Sequence, residues 1–121
     1  MNKFEIKGRL DGLNEYTKVN RSNRYGANKL KRKNQNIVIL GIRKYRVKPI
    51  HDYPISLSIT WYEPNNRRDI DNVTFAVKFI LDALVQEGIL VDDSRKYVRS
   101  INHKVLTDKN DPRIEVEIEG S

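Results

Sequence analysis

Four aspartates, arranged in two pairs, are the residues best suited to metal chemistry. Asp69 and Asp71 form the first pair, and Asp92 and Asp93 form the second. Side chains two residues apart in an extended chain point the same way, so we expect Asp69 and Asp71 to converge while Ile70 turns into the core. Neighbouring carboxylates repel unless a cation lies between them, and Mg²⁺ accepts carboxylate oxygens. The second pair would complete this site only if its strand packs beside the first.

A lysine shares a helix face with the first aspartate pair. Asp71, Phe75, Lys78 and Asp82 follow one another at steps of four, three and four, which places them on one side of a helix. Lys78 could contact a bound phosphate from there, or it could simply pair with Asp82. Taken singly, Asp71 is also explained as a helix cap, and Asp92 with Asp93 as part of a loop.

Basic residues are concentrated in the first part of the chain. The chain carries a formal net charge of +7, and residues 1–50 contain 14 Lys and Arg against three acidic residues. Such a surface favours a polyanion through counterion release and long-range attraction. The residues that we expect to contact nucleic-acid phosphates are Arg21, Arg24, Lys29, Lys31, Arg32, Lys33, Arg67 and Arg68.

The pattern of apolar residues predicts the elements that must position these side chains. Alternation predicts strands at 3–9, 55–61, 97–106 and about 114–118. Helical spacing predicts a basic helix over 27–46 and a second helix over 72–87 that ends at Gly88, with residues 11–25 as a polar loop. We therefore expect one α/β (α+β) domain over residues 1–121, with a small mixed sheet of about four strands covered by two helices.

Composition excludes several classes of protein. The chain has no cysteine, which removes disulfides, thiolate metal sites and cysteine nucleophiles. We expect no membrane association, because no apolar stretch approaches the roughly 20 residues of a spanning helix. The first residues do not resemble a secretory signal, so we expect a cytoplasmic protein. His51 and His103 are isolated and are not expected to bind metal.

Residues 67–98 carry a family resemblance. The segment Arg68-Asp69-Ile70-Asp71-Asn72-Val73, the helix end Leu81-Asp82-Ala83-Leu84, Gly88, and Val91-Asp92-Asp93-Ser94 resemble the RusA-type Holliday junction resolvases, which are crossover junction endodeoxyribonucleases often encoded by phages or prophages. Leu13-Asn14-Glu15-Tyr16 and the basic helix also fit the family pattern, more weakly.

The resemblance implies a homodimeric, Mg²⁺-dependent endonuclease that makes paired nicks in a four-way DNA junction, with Mn²⁺ as a substitute ion. The essential acids would be Asp69, Asp71 and Asp93, with Asp92 as an additional metal ligand. The family's catalytic lysine would be Lys78, counted back from Asp82. Counting from the other end of the helix, which is about three residues longer than in the best-known form of the family, places Phe75 there instead.

Two other functions stay open from the residues alone. The chain could be a non-catalytic basic module that binds nucleic acid and whose acids are structural. It could also be a metal-dependent phosphatase or nucleotide hydrolase, although a small phosphate substrate would not need so extended a basic surface. Tyr16 and Tyr25 could stack on unpaired bases or could simply complete loop packing.

Overall fold

A central four-stranded sheet organises the chain. The computed structural model describes residues 2–120. In chain order the elements are β1 (Asn2–Lys7), α1 (Leu13–Ser22), α2 (Arg24–Lys44), β2 (Ile55–Glu63), α3 (Ile70–Thr74), α4 (Val77–Gln86), β3 (Val98–Thr107) and β4 (Arg113–Gly120). The strand order is β1-β4-β2-β3, with β2 parallel to β3 and antiparallel to β4. The predicted mixed sheet of four strands is confirmed.

The core lies between the inner face of this sheet and the helices. Along β2, every second residue is buried, from Ile55 to Glu63, as the alternation predicts. The helices contribute Val38 and Ile42 from α2 and Phe79 from α4. The outer face of the sheet is polar, and on β4 it carries Glu115, Glu117 and Glu119.

The helical layer differs from the prediction in two places. Residues 13–22 form helix α1, where a loop was predicted, and this helix buries none of its residues fully. Two helices were therefore too few. The predicted helix over 72–87 begins at Ile70 and is interrupted at Phe75 and Ala76, which separates α3 from α4. The predicted stop is confirmed, since Gly88 has a φ of 74°, a conformation that favours glycine.

Candidate active site

The first aspartate pair lies at the beginning of α3. Asp69 is the N-cap residue, with extended backbone and no capping hydrogen bond from its side chain, and Asp71 lies in the first turn. Both are exposed, and Ile70 between them is 67% exposed. The predicted extended segment with Ile70 in the core is therefore wrong, because the backbone becomes helical at Ile70 and strand alternation stops there.

Arg68 anchors the residue before this pair. Glu63, at the end of β2, is 4% exposed. Arg68 donates two hydrogen bonds to the Glu63 carboxylate, from Nε to Oε1 at 2.8 Å and from Nη2 to Oε2 at 2.7 Å. Arg68 also donates from Nη1 to the Leu10 carbonyl at 3.2 Å and to Glu15 at 3.3 Å. Burial tends to lower the pKa of Arg68, but these carboxylates outweigh it and raise the pKa above its ordinary value.

A second contact fixes the other side of the pair. Asn72 is 7% exposed, and its Oδ1 accepts a hydrogen bond from the Asn14 backbone N–H at 2.9 Å. The backbones at Gly12 and Asn72 lie so close together that a Cβ on Gly12 would be 2.5 Å from the Asn72 carbonyl oxygen. The Gly12 N–H donates to Glu15 at 2.7 Å, which completes the start of α1. Residues 68–72 are thus held at both ends.

These contacts bear on the DNA-binding prediction for Arg68. Its side chain is 12% exposed, and its guanidinium is engaged by protein acceptors. This favours a positioning role for Arg68 over a phosphate contact. Sequence reasoning missed Glu63 and Asn72, although a lone glutamate at an inward position of an alternating strand was a signal that it needs a buried partner.

The second aspartate pair lies at the opposite end of the sheet. The Val91 N–H donates to the Tyr53 hydroxyl at 3.1 Å, and the Ile55 N–H donates to the Tyr97 carbonyl at 2.8 Å. Asp92 and Asp93, which are exposed, therefore lie near the beginning of β2, whereas Arg68 contacts its end. The nine residues of β2 span about 26 Å from the first Cα to the last, at roughly 3.3 Å per step. One chain does not bring the two pairs together.

The described residues of one chain do not form a complete metal-binding site, in agreement with the separation of the two aspartate pairs. Within residues 2–120, no group of three or more His, Asp or Glu side chains is placed to hold a metal ion. The donor chemistry itself suits Mg²⁺, because both pairs offer exposed carboxylate oxygens. None of the ion pairs found in this part of the chain involves Asp69, Asp71, Asp92 or Asp93. These carboxylates are free for a ligand.

Lys78 occupies the first turn of α4. Its side chain is 54% exposed, and its Nζ lies 3.9 Å from Asp82 Oδ2. That surface contact contributes little, so the amine is accessible to an anion. Phe75 packs on Tyr16, with ring centroids 5.3 Å apart. Tyr16 therefore completes packing within the protein, whereas Tyr25 is 72% exposed.

The basic surface is formed by α1 and α2. Six of the eight residues predicted to contact phosphates are exposed, and besides Arg68 two of them have partners within the chain. Lys33 Nζ lies 3.2 Å from Asp11 Oδ2, and Lys31 Nζ lies 5.7 Å from the Tyr16 ring centroid. The exposed members are Arg21, Arg24, Lys29, Arg32, Lys33 and Arg67. No helix within residues 2–120 is long and apolar enough to cross a membrane.

Comparison with known proteins gives a family match. A family model described as Endodeoxyribonuclease RusA matches residues 13–119, which is nearly the whole chain and includes both aspartate pairs, Lys78 and the basic helices. No curated protein matches the chain.

Proposed function

Because the chain belongs to the RusA endodeoxyribonuclease family, we propose that it resolves four-way DNA junctions by paired, symmetric nicks, with Mg²⁺ as its cofactor. The family match over residues 13–119 is the observation that carries the proposal, and it makes a non-catalytic binding module or a small-molecule phosphatase the less favoured function. The role would lie in DNA recombination and repair, and the cytoplasmic location stays a prediction.

We propose that the metal site is shared between two protomers. Asp69 and Asp71 of one protomer would hold the ion together with Asp93, and with Asp92 beside it, from the second protomer. The position of the two pairs toward opposite ends of β2, a strand about 26 Å long, supports this arrangement. When bound, the ion would activate a water molecule and stabilise the leaving oxygen. Mn²⁺ is expected to substitute.

The other residues would bind and orient the DNA. The exposed Lys and Arg side chains of α1 and α2 would contact phosphates, which supplies affinity without reading sequence. Lys78 would place its ammonium group against charge that develops on the scissile phosphate. Arg68 and Asn72 would keep Asp69 and Asp71 in position through their contacts with Glu63 and α1. A two-fold dimer would suit a junction that needs two matching cuts.

A nicking assay tests the proposed activity. The purified protein is incubated with a labelled four-way junction or a matched linear duplex, in Mg²⁺ or EDTA, alongside Asp71→Asn. We expect symmetric nicks in the junction alone, lost in EDTA and in Asp71→Asn while junction binding persists. Tight binding without nicks in either Mg²⁺ or Mn²⁺ would support the binding module instead. Salt-insensitive binding would favour a small-substrate hydrolase.

Mixing two inactive variants tests the shared site. Asp71→Asn and Asp93→Asn should each be inactive alone. If each site draws on both protomers, a mixed dimer contains one site with both substitutions and one intact site, so the mixture should nick one strand of the junction. Sites confined to single protomers would leave every site in the mixed dimer defective. The mixture would then be as inactive as its parts.

A further inference from the structure

The loop before β3 carries basic residues beside the second aspartate pair. Besides Asp92 and Asp93, residues 91–99 contain three basic residues, which are Arg95, Lys96 and Arg99. All five charged residues are exposed. Opposite charges so close in the chain are free to pair, yet none of the ion pairs found within residues 2–120 includes any of them. The carboxylates and the basic groups are therefore both available to ligands of opposite charge.

A closed turn brings the last aspartate and an arginine together. The Ser94 carbonyl accepts hydrogen bonds from the N–H groups of Tyr97 and Val98, each at 2.9 Å, which closes a single helical turn. Asp93 comes immediately before this turn, and Arg99 comes immediately after it. The turn therefore returns the chain to the neighbourhood of Asp93 as β3 begins.

Tyr53 holds the loop in place. Its hydroxyl accepts from the Val91 N–H at 3.1 Å, and its ring packs edge-on against Tyr97, with centroids 5.1 Å apart. The Tyr97 carbonyl also accepts from the Ile55 N–H at 2.8 Å. Lys96 Nζ lies over the Tyr97 ring, 5.5 Å from its centroid, so this ammonium group has a partner within the chain. The described residues provide no such partner for the two arginines of the loop.

Arg99 is the extra residue of a β-bulge. In the parallel pairing of β2 with β3, Val98 lies opposite Ile55. Ser100 lies opposite the next residue, Ser56, so Arg99 has no counterpart on β2. A bulge takes one side chain out of the regular alternation, and bulges are frequent next to active sites because they redirect a side chain. This bulge lies at the end of β3 that is next to the second aspartate pair.

We propose that Arg95 and Arg99, the arginine pair, form a phosphate-binding site for the DNA strand that is cut, separate from the basic surface of α1 and α2. The inference rests on the proposed function, since it assigns a substrate contact to the Asp93 end of the same site. A guanidinium suits this role, because its planar fork donates two parallel hydrogen bonds to a phosphate. Both arginines lie within six residues of Asp93.

The second aspartate pair needs cations beside it to receive DNA. Two exposed carboxylates repel the phosphates of a nucleic-acid strand, and this repulsion acts over several ångströms in water. The arginine pair adds two positive charges in the same loop and offsets the repulsion. Phosphate contacts also set the register of a protein on its DNA. The arginine pair would therefore determine which phosphodiester lies against Asp92 and Asp93, whereas α1 and α2 supply overall affinity.

The salt dependence of junction binding tests this site. Arg95→Gln and Arg99→Gln are made in protein that also carries Asp71→Asn, so that the junction stays uncut, and fluorescence anisotropy measures affinity over a series of salt concentrations. Each lost phosphate contact should reduce the steepness of log affinity against log salt by about 0.9. Lys3→Gln is the matched control and should change nothing, because it removes an equal charge from β1 opposite Glu117, on the outer face of the sheet. An unchanged slope in both arginine variants would refute the site.

Neutral phosphate analogues locate the contact. Single methylphosphonate linkages are placed in turn on each side of the nick, or around the junction centre if no nick is made. One linkage should weaken binding by protein that retains Arg99 but not by Arg99→Gln, in which the contact is already lost. Arg21→Gln should still respond to that linkage. If Arg99→Gln responds at every position as strongly as protein with the natural arginine, Arg99 makes no local contact and the inference is wrong.

Nicking by protein with the natural Asp71 separates this inference from the proposed function. Arg99→Lys keeps the charge but not the fork, so it should restore the salt dependence more than the nicking rate. Circular dichroism and thermal unfolding check that each variant is folded. If the protein binds junctions with the expected coupling but does not nick them, the phosphate site stands and the proposed nuclease function fails. If it nicks junctions with rate and slope unchanged in both glutamine variants, the phosphate site fails and the proposed function stands.

Discussion

Glu63→Gln, which removes a buried charge, should destabilise the protein more than the removal of a surface charge does. The substitution keeps the shape of the side chain but leaves the Arg68 guanidinium, 12% exposed, without its main counter-charge. Breaking a buried pair on one side costs about 3–5 kcal/mol. Arg68 keeps Glu15 at 3.3 Å and the Leu10 carbonyl at 3.2 Å, so we expect a loss of about 3 kcal/mol in the free energy of unfolding.

Urea and thermal unfolding, followed by circular dichroism, measure this loss. For 121 residues, about 3 kcal/mol corresponds to a decrease in Tm of roughly 12 °C. Glu87→Gln is the matched control, because Glu87 accepts from Arg43 at 2.8 Å but the Arg43 side chain is 68% exposed. That variant should lose less than about 1 kcal/mol. Equal losses in the two variants would show that the Glu63 contact does not act as a buried ion pair.

The same substitution should slow nicking in protein that remains folded. Loosening Arg68 frees the backbone before Asp69, and a displacement of about 1 Å at a reacting group can cost roughly 10²-fold in rate. We expect kcat for junction nicking to fall while junction affinity stays near that of the natural protein. An affinity that falls with an unchanged kcat would instead make Arg68 a DNA contact that Glu63 merely holds.

Three further predictions concern other parts of the molecule. His103 Nδ1 accepts a hydrogen bond from Trp61 Nε1 at 3.0 Å, and burial lowers the pKa of His103 below its ordinary 6.5. The neutral form of His103 therefore stabilises the fold above pH about 6.5, and this stability is lost as the pH falls through the lower pKa of the folded state. Fluorescence of the single tryptophan should accordingly titrate below pH 6.5. His103→Asn should lose that transition. Gly12→Ala should cost about 1–3 kcal/mol in urea unfolding because its Cβ would meet the Asn72 backbone, whereas Gly120→Ala, which meets nothing within 4 Å, should be nearly neutral. Junction binding measured by fluorescence anisotropy should weaken by about 10³-fold or more between roughly 50 and 200 mM salt, and a flat response would argue against phosphate contacts by the helices.

Strand positions were the most predictable part of this fold. Over residues 55–61 of β2 and 114–118 of β4, apolar and polar residues alternate, and the structure places the apolar set inward on both strands. The observed limits of the strands differ from the predicted ones by at most two residues. The order of the strands was not predictable, because alternation shows which side of a strand is buried but not which strand lies beside it.

The helices show where a periodic signal fails. Helix α1 has only three apolar residues, Leu13, Tyr16 and Val19, and none of its residues is fully buried, so its polar composition resembled that of a loop. A local signal did exist, since Gly12 is followed three residues later by Glu15, whose carboxylate accepts from the Gly12 N–H. No residue type in the sequence predicted the interruption of the helix at Phe75 and Ala76, because both residues are compatible with a continuous helix.

The candidate site was predictable in composition but not in arrangement. Both aspartate pairs stood out because carboxylates at close spacing need a cation, and their exposure and lack of ion-pair partners agree with that reasoning. The two pairs are separated because β2 and β3 are parallel, so that α3 and α4 must lead the chain from the end of β2 back to the beginning of β3. Spacing along the chain does not determine that distance. The buried Glu63 also became meaningful only when Arg68 was seen to meet it.

The two faces of the sheet give the molecule an electrical orientation. The helical side carries the Lys and Arg residues of α2, whereas the outer side of β4 carries Glu115, Glu117 and Glu119. A body charged in this way experiences a torque as it diffuses toward a polyanion, and it turns its basic side forward before contact. Fewer encounters are then wasted on the wrong face. In the proposed reaction, the row of glutamates would thus raise the rate of productive docking without touching DNA.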